Sequence, residues 1–227
     1  RVIQLTGFSD PVYAEAKITI HQFDISLDVL LVNQTTDTLT NLTLELATVG
    51  DLKLCERPAN YTMAPKQQLR IKASIKVSST ETGIIFGNIV YDAHGTSQCV
   101  ILNDVHIDIM DYISPATCDE TKFRQMWFEF GWENKIPIKT GQFESLKAFL
   151  QGLCDVTHMN CLTQDSALGD VFLSANLYAR SAFGEDALAN VSVERTVEGI
   201  EGFVRIRSET QGIALSLGDR ITKDQKK

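Results

Sequence analysis

Few residues in this chain have the types and spacing that catalysis or metal binding requires. The four histidines are scattered, and none has a second His, Cys or Asp at the spacing of zinc ligands. The sequence contains no nucleophile elbow, phosphate-binding loop or dinucleotide-binding glycine motif. A Ser, His and Asp triad assembled from distant loops stays open as an alternative, since geometry defines a triad. We therefore predict a protein that is not an enzyme and has no catalytic residue, metal or cofactor.

Two pairs of acidic residues resemble the carboxylate pairs of acid–base catalysts. Glu185 and Asp186 lie in FGEDALANV, where the glycine predicts a turn between two strands, so we expect both carboxylates to be solvated. Asp108 and Asp111 in HIDIMDY are expected at the exposed end of a strand. His106, in the same alternating segment, is also expected to be exposed.

Two arginines are candidates for ligand binding. Arg205 and Arg207 alternate with Val204 and Ile206, so both guanidinium groups should leave the same face of a strand. Such a pair usually belongs to an ordinary solvent-exposed face of a strand. Arginine is nevertheless suited to forked recognition of carboxylates, and Trp and Arg are frequent anchors of interfaces.

The segment FRQMWFEFGWEN, residues 123–134, contains both tryptophans of the chain. On a helix, four of its apolar residues share one face: Phe123, Met126, Trp127 and Phe130. Phe128 and Trp132 do not fit on that face. A Trp at this spacing is usually part of the core, but one buried face cannot hold this much aromatic surface. We therefore expect part of the surface to contact a partner.

Composition excludes several classes of protein. The chain has 227 residues and is 44% hydrophobic, enough for one large domain or two of about 100 residues each. Its net charge of −8 argues against a nucleic-acid-binding protein. It has no basic run for an anionic bilayer and no apolar run long enough to span one. The start at Arg1, without a signal peptide, suggests a piece of a longer protein.

The cysteines and the glycosylation patterns favour different compartments. Five irregularly spaced cysteines are predicted to be buried thiols in a reducing compartment. Four glycosylation patterns, at Asn33, Asn41, Asn60 and Asn190, would instead fit a secreted protein. From the residues alone, both a cytosolic and a secreted protein stay open as alternatives, and the cytosolic location is favoured.

Residues 1–114 alternate between apolar and polar positions, most clearly in LRIKASIKV, and turn-forming clusters such as NQTTD and DAHGTS separate the runs. This pattern predicts an immunoglobulin-like β-sandwich. The expected strands are 14–21, 25–32, 39–48, 69–77, 84–91 and 100–109.

Residues 115–227 predict a smaller α+β platform, with helices packed on an antiparallel sheet. Thr117 and Glu120 are expected to form a capping box that begins the aromatic helix, and Gly131 to end it. Further helices are predicted over 143–154 and 209–218. Strands are predicted over 136–140, 171–181, 189–197 and 202–207.

Several long segments closely resemble the C-terminal appendages of coatomer beta subunits. They cover most of the chain: NQTTDTLTNLTLELATVGDLKL, GIIFGNIVYD, VHIDIMDYISPATC, FRQMWFEFGWENK, NLYARSAFGEDALANVS and QGIALSLGD. The resemblance implies a cytoplasmic component of the COPI vesicle coat in Golgi and endoplasmic-reticulum traffic, peripheral to the Golgi membrane. It implies assembly with other coatomer subunits and recruitment of the whole coat by the GTPase Arf, without nucleic acid and without direct membrane insertion.

The resemblance also implies a binding site. In the related clathrin-adaptor appendages, a Phe-x-x-x-Trp pair on the first platform helix binds short peptides rich in Phe and acidic residues. Phe123 and Trp127 stand at the matching positions here, whereas Arg124 and Phe128 differ from the adaptor pattern. We therefore expect accessory or regulatory proteins to dock through the following residues: Trp127, Phe123, Arg124, Phe128, Arg205 and Arg207. The alternative is a purely structural spacer that contacts other coatomer subunits.

Overall fold

A computed structural model describes residues 1–55, 57, 59–80 and 82–226. The chain divides into two compact units, Arg1–Asp108 and Ile109–Lys227. The boundary predicted after Ser114 falls within a short strand of the second unit. The predicted fold class, an antiparallel sandwich followed by an α+β platform, is confirmed. Among the described residues, no helix is both long and apolar enough to cross a membrane.

The first unit consists of short antiparallel strands. In chain order they are β1 (Val2–Gln4), β2 (Val12–Ile20), β3 (Asp24–Asn33), β4 (Leu39–Val49), β5 (Leu52–Leu54), β6 (Tyr61–Met63), β7 (Gln68–Val77), β8 (Gly83–Ala93), β9 (Thr96–Ile101) and β10 (Val105–Ile107).

These strands form two sheets, ordered β1-β2-β3-β7-β5 and β10-β8-β4-β6, and β9 pairs with β8. Alternate residues are buried, as in β3, where Ile25, Leu27, Val29 and Leu31 are at most 2% exposed. This period of two is expected for sheets that each cover the other's inner face.

The last predicted strand of this unit, 100–109, is wrong. The structure has two short strands there, β9 and β10, and a 3₁₀ turn over Ile109–Tyr112. β9 is the second arm of a hairpin whose turn residues, His94 and Gly95, both have positive φ. That backbone is typical of two-residue hairpin turns, so DAHGTS does form the predicted turn.

Asn33, the first residue of a glycosylation pattern, belongs to the core. Its side chain is 0% exposed and donates hydrogen bonds to the backbone carbonyls of Asp37 and Ala64 at 2.8 and 3.0 Å. The amide therefore joins β3 to the following loops, and in the folded chain it is inaccessible to a glycosyltransferase.

The second unit contains three α-helices packed on an antiparallel sheet whose main strands are long. Its elements are β11 (Ile113–Pro115), α1 (Glu120–Glu129), β12 (Trp132–Thr140), α2 (Leu146–Thr157), β13 (Asn160–Cys161), β14 (Phe172–Ser181), β15 (Asp186–Thr196), β16 (Gly199–Ser208) and α3 (Gln211–Asp224). The sheet order is β11-β14-β15-β16-β12, and β13 pairs with β14.

The helices cover the two faces of this sheet unequally. α2 and α3 pack on one face, where Leu150 and Leu217 join a core with strand residues such as Leu177 and Val191. α1 packs on the other face, against Tyr178 and Leu188. Since neighbouring residues of a strand point to opposite faces, Leu177 and Tyr178 belong to different cores.

The ends of the helices differ from the prediction. The N-cap of α1 is Asp119, whose Oδ1 accepts a hydrogen bond from the backbone N–H of Lys122 at 2.7 Å. The predicted capping box of Thr117 and Glu120 is therefore wrong. The helix ends at Glu129 with Phe130 as C-cap, before Gly131.

The sheet edge at β12 is protected. Pro137 removes one backbone donor from the strand. Gln225, just after α3, accepts from the backbone N–H of Lys139 at 3.0 Å and donates to the carbonyl of Pro137 at 3.2 Å. These contacts occupy backbone groups that an added strand would need.

Gly202 allows β16 to lie close to β15. Its φ is +150°, and a Cβ built there would lie 2.1 Å from the backbone oxygen of Ser192. Any side chain at this position would force the two strands apart.

Candidate functional site

The register of the strands arranges the polar side of the platform sheet in rows. We call this side the α1 face. Its first row is Tyr178, Leu188, Arg207 and Glu133; its second row is Asn176, Asn190, Arg205 and Lys135; its third row is Ser174, Ser192, Phe203 and Pro137. α1 lies over the first row. The candidate site therefore lies along the edge of α1, between the first row, which the helix covers, and the second row.

Trp127 lies at this boundary. Phe123 and Met126, on the same face of α1, are 4% and 6% exposed, whereas Trp127 is only partly buried. Its ring stacks on that of Phe123, with centroids 5.8 Å apart and an interplanar angle of 21°. The helical spacing thus places one flank of the indole on the core and leaves another accessible.

Both predicted arginines approach the Trp127 ring. The guanidinium carbons of Arg205 and Arg207 lie 5.5 and 5.2 Å from the ring centroid, within the range of cation–π attraction. Arg207 also donates a hydrogen bond to the backbone carbonyl of Trp127. The prediction that the two arginines leave one strand face together is confirmed.

Glu133 holds the two arginines in place. Its Oε1 accepts from Nε of Arg205 at 3.0 Å, and its Oε2 accepts from Nε of Arg207 at 2.7 Å. Although desolvation by partial burial acts in the opposite direction, hydrogen bonds and charge from the two arginines lower the pKa of Glu133 below its ordinary value. One ionised carboxylate therefore fixes two guanidinium groups beside the indole.

These side chains surround a concave cleft of about 480 Å³. Its lining residues are Phe123, Arg124, Trp127, Phe128, Asn176, Asn190 and Arg205. Its floor carries an amide pair, in which Nδ2 of Asn190 donates to Oδ1 of Asn176 at 2.9 Å. The cleft thus combines an apolar wall, an amide floor and a cationic rim.

The structure places five of the six predicted site residues in the cleft wall, and the sixth, Arg207, lies against Trp127. Arg124 is exposed and pairs with Glu120 one helical turn away. Phe128 is 84% exposed. Trp132, which the sequence could not place, is the first residue of β12, is 46% exposed and lies outside the cleft lining.

The expectation that Asp186 lies in a solvated turn is wrong. Asp186 is the first residue of β15 and is 9% exposed. Its Oδ1 accepts a hydrogen bond from the hydroxyl of Tyr178 at 2.6 Å and lies 3.4 Å from Nε of Arg180. Burial and this hydrogen bond raise the pKa of Tyr178. The acidic residue therefore supports the sheet beneath α1.

A larger cleft, of about 530 Å³, lies at the end of α2. It is lined in part by Cys154, His158 and Cys161 and contains none of the predicted site residues. Burial raises the pKa of Cys154 to about 11, so its thiol is protonated at neutral pH and is a weak nucleophile. We therefore place the candidate site at Trp127.

The remaining chemically active side chains are dispersed. All five cysteines are free thiols. The prediction that they are buried is wrong for Cys55 and Cys99, which are exposed, while Cys118, Cys154 and Cys161 are only partly buried. His106 is exposed on β10, as predicted. Within the part of the chain that the structure describes, no group of three His, Cys, Asp or Glu residues is arranged to hold a metal.

Comparison with known proteins identifies the family. The family described as "Coatomer beta C-terminal region" matches residues 1–93, and "Coatomer beta subunit appendage platform" matches residues 96–221. The chain belongs to the coatomer beta family. All residues of the Trp127 cleft fall within the span that matches the coatomer beta appendage platform.

Relatives in plants and animals align with the whole chain. "Coatomer subunit beta-1" of Arabidopsis thaliana is 60% identical, with 100% of this chain and 24% of that protein covered. "Coatomer subunit beta" of Rattus norvegicus is 58% identical, with 100% and 25% covered. The chain therefore spans about a quarter of the length of these relatives.

Solved structures give a weaker likeness. The GAE domain of GGA2p from Saccharomyces cerevisiae is 16% identical, with a TM-score of 0.37 over 46% of this chain and 97% of that one. The yeast GGA1 GAE domain is 17% identical, with a TM-score of 0.37 over 47% of this chain and 98% of that one.

Proposed function

We propose that this chain is a noncatalytic docking module of the COPI coat, which binds short aromatic and acidic segments of accessory or regulatory proteins in the Trp127 cleft. The observation that carries this proposal is a partly exposed indole in a concave cleft with cations beside it. A tryptophan that only filled the core would not need two arginines against its ring. Trp and Arg together are typical of the energetic centre of an interface.

The proposed ligand follows from the cleft chemistry. An aromatic side chain fits in the cleft against the accessible flank of Trp127, because stacked and edge contacts between rings add to the gain from burial. A ligand carboxylate beside it meets Arg205 and Arg124 at the rim. Because the whole chain has a net charge of −8, favourable attraction for acidic peptides is confined to such local cationic surfaces.

The protected edge of β12 favours recognition through side chains. Peptides that extend a sheet require free backbone groups on an edge strand. Pro137 and Gln225 leave fewer such groups on β12. A ligand would therefore bind by inserting side chains into the cleft.

In this proposal the chain acts in the cytoplasm, as part of a coat peripheral to the Golgi membrane. The other coatomer subunits and Arf-dependent recruitment of the whole coat bring it to the membrane. The module has no catalytic role, and the aromatic cleft selects partners.

A spacer that contacts other coatomer subunits is the second candidate function. The observation that favours it is the exposure of Phe128, at 84%, and of Trp132, at 46%. A permanent interface would bury both of these rings. A ligand of the cleft would contact Phe128 and leave Trp132 in solvent.

Fluorescence titration of a labelled acidic peptide with one Phe tests the docking function. We expect saturable binding, a loss of about tenfold or more when the Phe is replaced by Ser, and weaker binding as salt increases. The Arg205→Gln variant should lose affinity for this peptide, while Arg195→Gln, on the β15 strand outside the cleft, should bind it normally. Equal binding of the Phe and Ser peptides would exclude an aromatic docking site.

A further inference from the structure

The α1 face continues past the cleft, into rows that α1 does not cover. Phe203, in the third row on β16, is 44% exposed. Its cross-strand neighbours are Ser192 on β15 and Pro137 on β12. A serine is too small to cover an aromatic ring, so one side of Phe203 stays open to solvent on a face whose nearby residues are mostly polar.

Lys135 connects this ring to the cleft. Its Nζ lies 3.9 Å from the centroid of Phe203, and its backbone is in register with Arg205 in the second row. Among the residues that the structure describes, no carboxylate forms an ion pair with Lys135. Lys139, four residues further along the same face of β12, instead pairs with Glu198 and Glu201 at 2.9 and 3.1 Å.

The charges of the first two rows do not balance. They contain three cations, Lys135, Arg205 and Arg207, and one carboxylate, Glu133, which already binds both arginines. Like charges opposite each other on neighbouring strands are unfavourable, as for Lys135 and Arg205. A carboxylate placed between these two cations would relieve the repulsion, which makes an acidic segment the complementary occupant.

We propose that Phe203 and Lys135 form a second anchor of the docking site. The occupant is an acidic segment of a partner protein with two apolar side chains. One aromatic side chain fills the Trp127 cleft, the carboxylate lies between Arg205 and Lys135, and the second apolar side chain packs on Phe203. This inference rests on the proposed docking function and adds the direction in which the ligand leaves the cleft.

The strand geometry sets the spacing of the two ligand side chains. Arg205 lines the Trp127 cleft and marks the position of the first ligand side chain. Phe203 is two residues away from it on β16, roughly 7 Å along the strand. An extended ligand spans this distance in about two residues, or about three when its path is oblique to the strand. Apolar residues at this spacing, with Asp or Glu beside them, define the expected binding sequence.

The test uses the full chain and two acidic peptides, one with two Phe residues about three positions apart and one in which the second Phe is Ser. We expect Phe203→Ser to weaken binding of the two-Phe peptide about tenfold and to leave the one-Phe peptide within about twofold. Phe172→Ser is the matched control. Phe172, on β14, is also exposed, at 56%, and lies on the α1 face of the sheet beyond the third row. Melting curves check that each variant is folded.

A second variant tests the charge. Lys135→Gln should weaken both peptides about threefold and reduce their dependence on salt, while Lys139→Gln should not. If Phe203→Ser and Lys135→Gln bind the two-Phe peptide as the wild type does, but Trp127→Ala does not, the second anchor is excluded and the docking function stands. If the wild type binds neither peptide, the docking function itself fails and the second anchor fails with it.

Discussion

Replacing Trp127 by Ala should reduce both stability and binding, by amounts that the structure sets. A fully buried Trp cut to Ala costs about 3–5 kcal/mol of unfolding free energy. Trp127 is only partly buried and its ring stacks on Phe123, so we expect about half of that, about 2 kcal/mol, or roughly 6 °C in melting temperature. Its backbone carbonyl, which accepts from Arg207, is kept in the variant.

Binding of the acidic one-Phe peptide should fall by about 2 kcal/mol or more, which is roughly thirtyfold in Kd. The measurements are thermal unfolding and fluorescence anisotropy on the same samples. Trp132→Ala is the control, since Trp132 is partly exposed and outside the cleft; it should bind the peptide normally. A stability loss of about 4 kcal/mol or more in Trp127→Ala, with peptide binding equal to that of Trp132→Ala, would identify Trp127 as a core residue and refute the docking role.

Three further changes test the supports of the site. Asp119→Ala should lower stability by about 1 kcal/mol in urea unfolding, because α1 loses its N-cap, and Asp119→Ser should restore most of it; equal stability of the Ala and Ser variants would exclude the cap. Gly202→Ala should cost about 2–4 kcal/mol in the same assay, because its Cβ would collide with β15, and a change below about 0.5 kcal/mol would contradict this contact. Glu133 has a lowered pKa, so its ion pairs contribute above its ordinary pKa of 4.5 and are lost as pH falls through the lower folded value. Glu133→Gln should therefore melt at a lower temperature than the wild type at pH 7, with a difference that shrinks in acid; a difference independent of pH would show that the carboxylate charge has no role.

Most of the long strands of both units could be predicted from the sequence because burial follows alternation directly, whereas the single strand predicted over 100–109 is wrong. LRIKASIKV lies within β7, and the predicted strand 25–32 lies within β3. The ends of elements were less predictable, because they depend on local hydrogen bonds that several residues could make. Thr117 and Asp119 can both cap a helix, and the structure uses Asp119.

The candidate site was predictable only as far as local periodicity extends. Helical spacing places Phe123 and Trp127 together, and strand alternation places Arg205 and Arg207 on one face. Glu133 is different, because its position beside the arginines depends on the register of β12 against β16. That register joins segments about 70 residues apart in the chain, and no local pattern encodes it.

The open cleft follows from the number of helices on each face of the platform sheet. A helix is about 10 Å across, while the strands β14, β15 and β16, with 10, 11 and 10 residues, extend for roughly 33 Å. Two helices, α2 and α3, cover the apolar face, and α1 alone cannot cover the other. The rows beyond α1 must therefore tolerate water, which explains their Asn, Ser, Arg and Lys residues. Phe203 is an apolar ring exposed among these polar residues, next to Lys135, and the ligand that we propose would cover both.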